Sequence, residues 1–172
     1  DYIDWTPFFL TWELQGKYPR IFDHPQLGEP ARELFDNAQE LLTSVVEQNL
    51  IQARAVYGLW PAGSDGDSVV VFSDETRETE ICRFEGLRQQ AVQKGRPDFK
   101  CISDFVAPID SGRQDYVGAF TVTAGIGVSE LAAKYDADHD DYNSIMIKAL
   151  ADRFAEAFAE YLHKQVRVQW GY

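Results

Sequence analysis

The residues best placed to do chemistry lie toward the C-terminal end, where Asp152, Glu156, Glu160 and His163 follow one another at intervals of four, four and three. On a helix that spacing stacks all four side chains along one face. Such a row is either a solvated face with Arg153 and Lys164 beside it or a line of ligand-binding groups. Glu160-Tyr161-Leu162-His163 also has the form of half a carboxylate-bridged di-iron site, in which a glutamate and a histidine one turn apart grip the same metal. A di-iron site needs a second helix of that kind. The other histidines do not supply it, because Ile21 stands three residues before His24 and Asp136 three before His139. No metal site is assigned.

Nucleophilic catalysis has less support. There is no Gly-x-Ser-x-Gly elbow, and neither Cys82 nor Cys101 has a local activating signature. Gly125-Ile126-Gly127 follows an expected strand, but Glu130 stands where the third glycine of a dinucleotide loop would fall, so the segment reads as a turn. No catalytic residue is assigned. Asp4-Trp5 beside Pro7-Phe8-Phe9 is either a polar group on the aromatic wall of a small-molecule pocket or a buried, hydrogen-bonded structural aspartate. Lys17 and Arg20, around Tyr18-Pro19, make a small basic and aromatic patch that an acidic protein could use for docking; two ordinary surface cations beside a core aromatic would look the same.

The elements that must position these groups follow from periodicity. Pro30 to about Leu50 repeats apolar residues at helical spacing, with Pro30 in the first turn. Residues 54–60 and 68–73 are β-rich and separated by Pro61, Gly63, Asp65 and Gly66, which predicts a hairpin. Glu80–Phe84 extends that sheet, Gly86–Val92 reads as a short helix ended by Lys94-Gly95-Arg96-Pro97, and strands are expected at Phe99–Val106 and Tyr116–Thr123. A helix capped by Ser129 follows. The longest helix runs from about Asp141 to Val168, with an apolar stripe through Ile147, Leu150, Phe154, Phe158, Tyr161 and Leu162. The expected class is α+β: a mainly antiparallel sheet with flanking helices and a long C-terminal helix.

Composition narrows the function. The 172 residues are 45% hydrophobic and carry 16 Lys and Arg against 28 Asp and Glu, a formal charge of −12. That charge repels phosphate backbones and anionic lipid, so no nucleic-acid or membrane partner is expected. There is no apolar run of membrane-spanning length, and the opening Asp1-Tyr2-Ile3-Asp4-Trp5 has no signal-peptide character, so a soluble, cytoplasmic protein is expected. Two cysteines are too few for a disulfide framework. With no initiating methionine and an ending on Trp170-Gly171-Tyr172, the chain is expected to be a single domain, residues 1–172, cut from something longer.

Several stretches carry a resemblance: Asp4-Trp5-Thr6-Pro7-Phe8-Phe9, Gly16-Lys17-Tyr18-Pro19-Arg20, Asp74-Glu75-Thr76-Arg77, Asp104-Phe105-Val106-Ala107-Pro108, His139-Asp140-Asp141-Tyr142-Asn143 and Ala155-Glu156-Ala157-Phe158-Ala159-Glu160-Tyr161-Leu162-His163. In their order and over essentially the whole chain they resemble the activation, or reactivation, domain of cobalamin-dependent methionine synthase. The resemblance implies S-adenosylmethionine binding for the reductive remethylation of oxidised cobalamin, within methionine biosynthesis from homocysteine. It implies that the chain is part of a methyltransferase without being catalytic alone. Cobalamin and zinc would sit on other domains of the parent enzyme, and the partners would be the cobalamin-binding domain and a flavodoxin or flavoprotein reductase.

Carried over by position, Asp4 and Glu156 would contact S-adenosylmethionine, and Lys17 and Arg20 would belong to the reductase-docking surface. The family continues past the Trp-Gly-Tyr segment into an Arg-x-x-x-Gly-Tyr motif that holds the ligand's amino acid part. Its absence here implies a partial domain lacking its C-terminal part. The alternative function is a docking module for the reductase and the cobalamin domain, with little ligand binding of its own.

Overall fold

Apolar residues three or four apart define which side of a helix turns inward, and α2 (Gly28–Glu47) buries the side formed by Ala31, Leu34, Ala38, Leu41 and Val45. In the computed structural model, which describes residues 2–92, 95 and 98–171, this helix belongs to one of two compact units. The first comprises the residues up to Val56 and those from Thr121 onward, and the second Tyr57–Phe120. The order along the chain is α1 (Trp5–Thr11), α2, β1 (Gln52–Asp65), β2 (Ser68–Phe72), β3 (Glu80–Glu85), β4 (Asp115–Ile126), α3 (Val128–Ala137) and α4 (Asp141–Trp170). The strands form one antiparallel sheet in the order β3-β2-β1-β4. The architecture is α+β with a long C-terminal helix, as the periodicity predicts.

The core of the first unit joins Trp5, Phe8 and Phe9 of α1 to the inner face of α2, to Val128 and Ala132 of α3, and to Met146, Ile147 and Leu150 of α4. Aromatic rings near the N-terminus pack into this core: Trp5 lies edge-on to Phe35 with ring centroids 4.8 Å apart, and Phe9 and Phe22 meet at 5.9 Å. Local chemistry sets the helix ends. Asn49, in the left-handed region at φ 51°, lets Leu50 N donate to Val45 O and Asn49 N to Val46 O, closing α2. His139, at φ 58°, does the same for α3, with Asp140 N donating to Tyr135 O. Asp140 then caps α4 by accepting from Asn143 N at 3.0 Å.

Four details differ from the sequence-based expectation. β1 does not end at Trp60 but continues through buried Pro61 and Gly63 to Asp65, and a two-residue turn with Gly66 at φ 60° joins it to β2. The turn-forming residues were too many; Ala62–Asp65 pair with Ser68–Val71 regardless. Gly86–Val92 is not a helix. Arg88 instead donates to Asp67, to Asp104 and to Phe99 O, and the segment runs without regular secondary structure, with Leu87 95% exposed. Most of the breaker expected after it, Lys94, Arg96 and Pro97, lies outside the described residues. Phe99–Val106 is not a strand: Ile102–Phe105 is a 3-10 turn tied by Asp104, which accepts from Cys101 N at 2.9 Å. Finally, Gly127 rather than Ser129 sits at the start of α3, and no side chain caps it.

Candidate functional site

α4 presents the polar row as its spacing predicts. Asp152, Glu156, Glu160 and His163 are all exposed, and the opposite side of the first half of the helix is buried at Ile147 and Leu150. The apolar stripe is less deeply covered further on, with Phe154 and Phe158 half-buried and Tyr161 exposed. Among the described residues no three His, Cys, Asp or Glu side chains come together as a metal ion would require, so the Glu160/His163 pair remains half a motif.

Asp4 is exposed, so of its two readings the buried structural aspartate is excluded. It caps α1 by accepting from Thr6 N at 2.9 Å, and the residue that goes inward is its neighbour Trp5. A cap bond uses part of one carboxylate oxygen and leaves acceptor capacity facing solvent. Asp4 and Glu156 lie on elements that meet. Tyr2 packs edge-on against Tyr161 at 5.7 Å, and α1 contacts α4. An open, mainly apolar cavity of about 490 Å³ is lined by Tyr2, Ile3, Phe154, Ala157 and Phe158 among others. Neither carboxylate lines this cavity: Glu156 lies with the exposed polar row, on the side of α4 away from Phe154, Ala157 and Phe158. Exposed carboxylates of this kind can accept hydrogen bonds from a ligand's ammonium or hydroxyl groups.

The group that sequence reasoning missed is Arg153. Placed by its charge on the solvated face, it is buried instead, with a side chain 8% exposed. It donates to both Glu156 oxygens, at 2.7 and 3.0 Å, and also to Asp152. Burial alone would pull its guanidinium pKa down; Asp152 and Glu156 more than reverse this, so the net shift is upward and the group stays charged. A signal was available: an arginine with carboxylates at the preceding and third following positions has partners that permit its burial.

Lys17 and Arg20 are both exposed, in the connection between α1 and α2 around the cis Tyr18-Pro19 peptide, where Tyr18 stacks on Phe35 with centroids 5.7 Å apart. Two other resembling stretches have structural work in the second unit. Asp74 accepts from Thr76 N and Oγ1, and Arg77 donates to Ala62 O at 2.8 Å and Asp115 O at 2.7 Å. Asp104 anchors Arg88.

These features place the chain among α+β domains built on an antiparallel sheet with a long C-terminal helix. A family model for the vitamin B12-dependent methionine synthase activation domain matches residues 1–172, and the chain belongs to that family. It is also similar to the crystal structure of the MetH reactivation domain bound to AdoHcy, with 51% identity and a TM-score of 0.88; the match covers 96% of this chain and 51% of that one. The chain therefore spans about half the length of the solved chain it matches.

Proposed function

We propose that this chain contributes the Asp4 and Glu156 side of an S-adenosylmethionine site that serves reductive remethylation of cobalamin in a methionine synthase. The observation that carries the proposal is the 51% identity, over 96% of the chain, to a reactivation domain bound to AdoHcy, which is what the methyl donor becomes once its methyl group has left. Both Asp4 and Glu156 are exposed, with carboxylates able to take hydrogen bonds from the ligand's ammonium or hydroxyl groups. Cobalamin, held by another domain, would supply the methyl acceptor, and one electron from a flavodoxin or flavoprotein reductase would complete the reactivation. The chain's own residues bind and orient the donor; neither carboxylate needs to move a proton. A cytoplasmic setting and a parent enzyme carrying zinc elsewhere belong to the same proposal.

Titration calorimetry of S-adenosylmethionine into this chain, and into a version extended to the length of the matched solved domain, tests the site. Binding by the longer form, with the shorter at least about tenfold weaker, is expected if contacts beyond Tyr172, including the Arg-x-x-x-Gly-Tyr arginine, complete it; tenfold corresponds to about 1.4 kcal/mol. Binding by neither form overturns the site. The docking alternative is favoured by the exposure of Lys17 and Arg20, while the chain's net charge of −12 opposes long-range steering toward an acidic partner. If an acidic reductase docks there, Lys17→Glu weakens its association most at low salt; an unchanged low-salt affinity removes the patch.

A further inference from the structure

Glu156 projects from the exposed side of α4, its side chain 61% exposed, and a glutamate so placed ordinarily samples many rotamers. Here it does not stand free. The Arg153 guanidinium lies beneath it, 8% exposed, and grips both its oxygens at 2.7 and 3.0 Å. A two-point fork fixes the plane of a carboxylate as well as its position. The anchor is fixed in turn, because a buried arginine cannot follow a mobile partner into solvent without losing its packing. The same guanidinium also donates to Asp152, so one positive charge is shared by two carboxylates and the cluster keeps a single net negative charge.

We propose that Arg153 is a positioning residue of the donor site: it holds Glu156 as an oriented, partly charge-compensated hydrogen-bond acceptor, which recognises the ligand's neutral donors rather than serving as counter-ion to its sulfonium. This rests on the placement of Glu156 in the site proposed above. A fully charged, mobile carboxylate would favour the sulfonium of S-adenosylmethionine over the uncharged sulfide of S-adenosylhomocysteine. A fixed, partly compensated one discriminates between them less at this position.

The test measures the affinities of both ligands in the extended form of the chain for Glu156→Gln, Arg153→Gln and Arg153→Lys, with thermal melts as a check of folding. For Glu156→Gln both ligands are expected to weaken by about fivefold or more and by similar factors, leaving their ratio within about threefold of the parent's. For Arg153→Gln, S-adenosylhomocysteine is expected to weaken about tenfold and S-adenosylmethionine less, because the released carboxylate can now attract the sulfonium, so the ratio shifts toward the methyl donor. Arg153→Lys, which restores charge without the fork, is expected to return the ratio while recovering only part of the affinity. A selective loss of S-adenosylmethionine in Glu156→Gln overturns the proposal, as does an Arg153→Gln protein whose affinities both stay within twofold. If Arg153→Gln does not fold, the Glu156→Gln ratio and Arg153→Lys decide alone. Should Glu156→Gln change neither affinity, Glu156 is not in the site and the inference falls with that placement.

Discussion

Single side chains in this protein carry two kinds of duty, and substitutions can separate them. Asp4 caps α1 and is also proposed to meet the ligand. Asn caps about as well as Asp, whereas Ala forfeits the cap at about 0.5–2 kcal/mol. Asp4→Asn should therefore leave the thermal midpoint near the parent's while weakening S-adenosylmethionine binding, and Asp4→Ala should lower both; melts and calorimetry on the same preparations check this. Asp104 has a structural duty alone. Arg88 first, then the Cys101 amide, hold its carboxyl down from 3.8 to about 2. Because the folded value is the lower one, the stabilisation is present above 3.8 and is lost as pH falls through about 2. Asp104→Asn should be less stable than the parent at pH 5, and the gap should close between pH 4 and 2; a gap constant with pH would show that Asp104 does not act through its charge.

Elements were legible in the sequence in proportion to their periodicity. The two long helices carry apolar residues at regular spacing over many turns, and their ends agree with α2 and α4 within a few residues. Polar tertiary contacts decided the rest. The Gly86–Val92 segment has helix-compatible residues, but one arginine finds Asp67, Asp104 and a carbonyl, and no local rule reveals partners that distant. Site residues divide in the same way. The exposed row on α4 could be read from its spacing; the burial of Arg153 was signalled only by its flanking carboxylates Asp152 and Glu156, since charge alone argues for solvent. Element-scale packing gives two further expectations. Leu150→Ala, at a fully buried position on α4, should cost about 2–5 kcal/mol in denaturant unfolding. Gly86→Ala should cost about 1–3 kcal/mol, because a Cβ there would collide with the Asp67 carbonyl and the Cys101 sulfur.

At the scale of the whole molecule, the charge of −12 acts on stability as well as on the choice of partners. Self-repulsion of the folded chain is long-ranged at about 0.01 M salt, where the screening length is about 30 Å, and short-ranged at 0.15 M, where it is about 8 Å. The unfolding midpoint should therefore rise over that interval, followed by circular dichroism; a midpoint that falls would mean that the ion pairs of Arg83, Arg88 and Arg153 outweigh the repulsion. None of the described helices is long and apolar enough to cross a membrane. The match to about half of a solved reactivation domain makes the extended form the natural object for every binding measurement.

The two cysteines turn the second unit into its own clock. Cys82 is exposed on β3, while Cys101 is buried, its sulfur against the Asp67 carbonyl. A thiol reagent should modify Cys82 at once and Cys101 only when the Arg88 fastening opens. The slow phase then reports how often that corner lets go, and Arg88→Met should quicken it while leaving the fast phase alone.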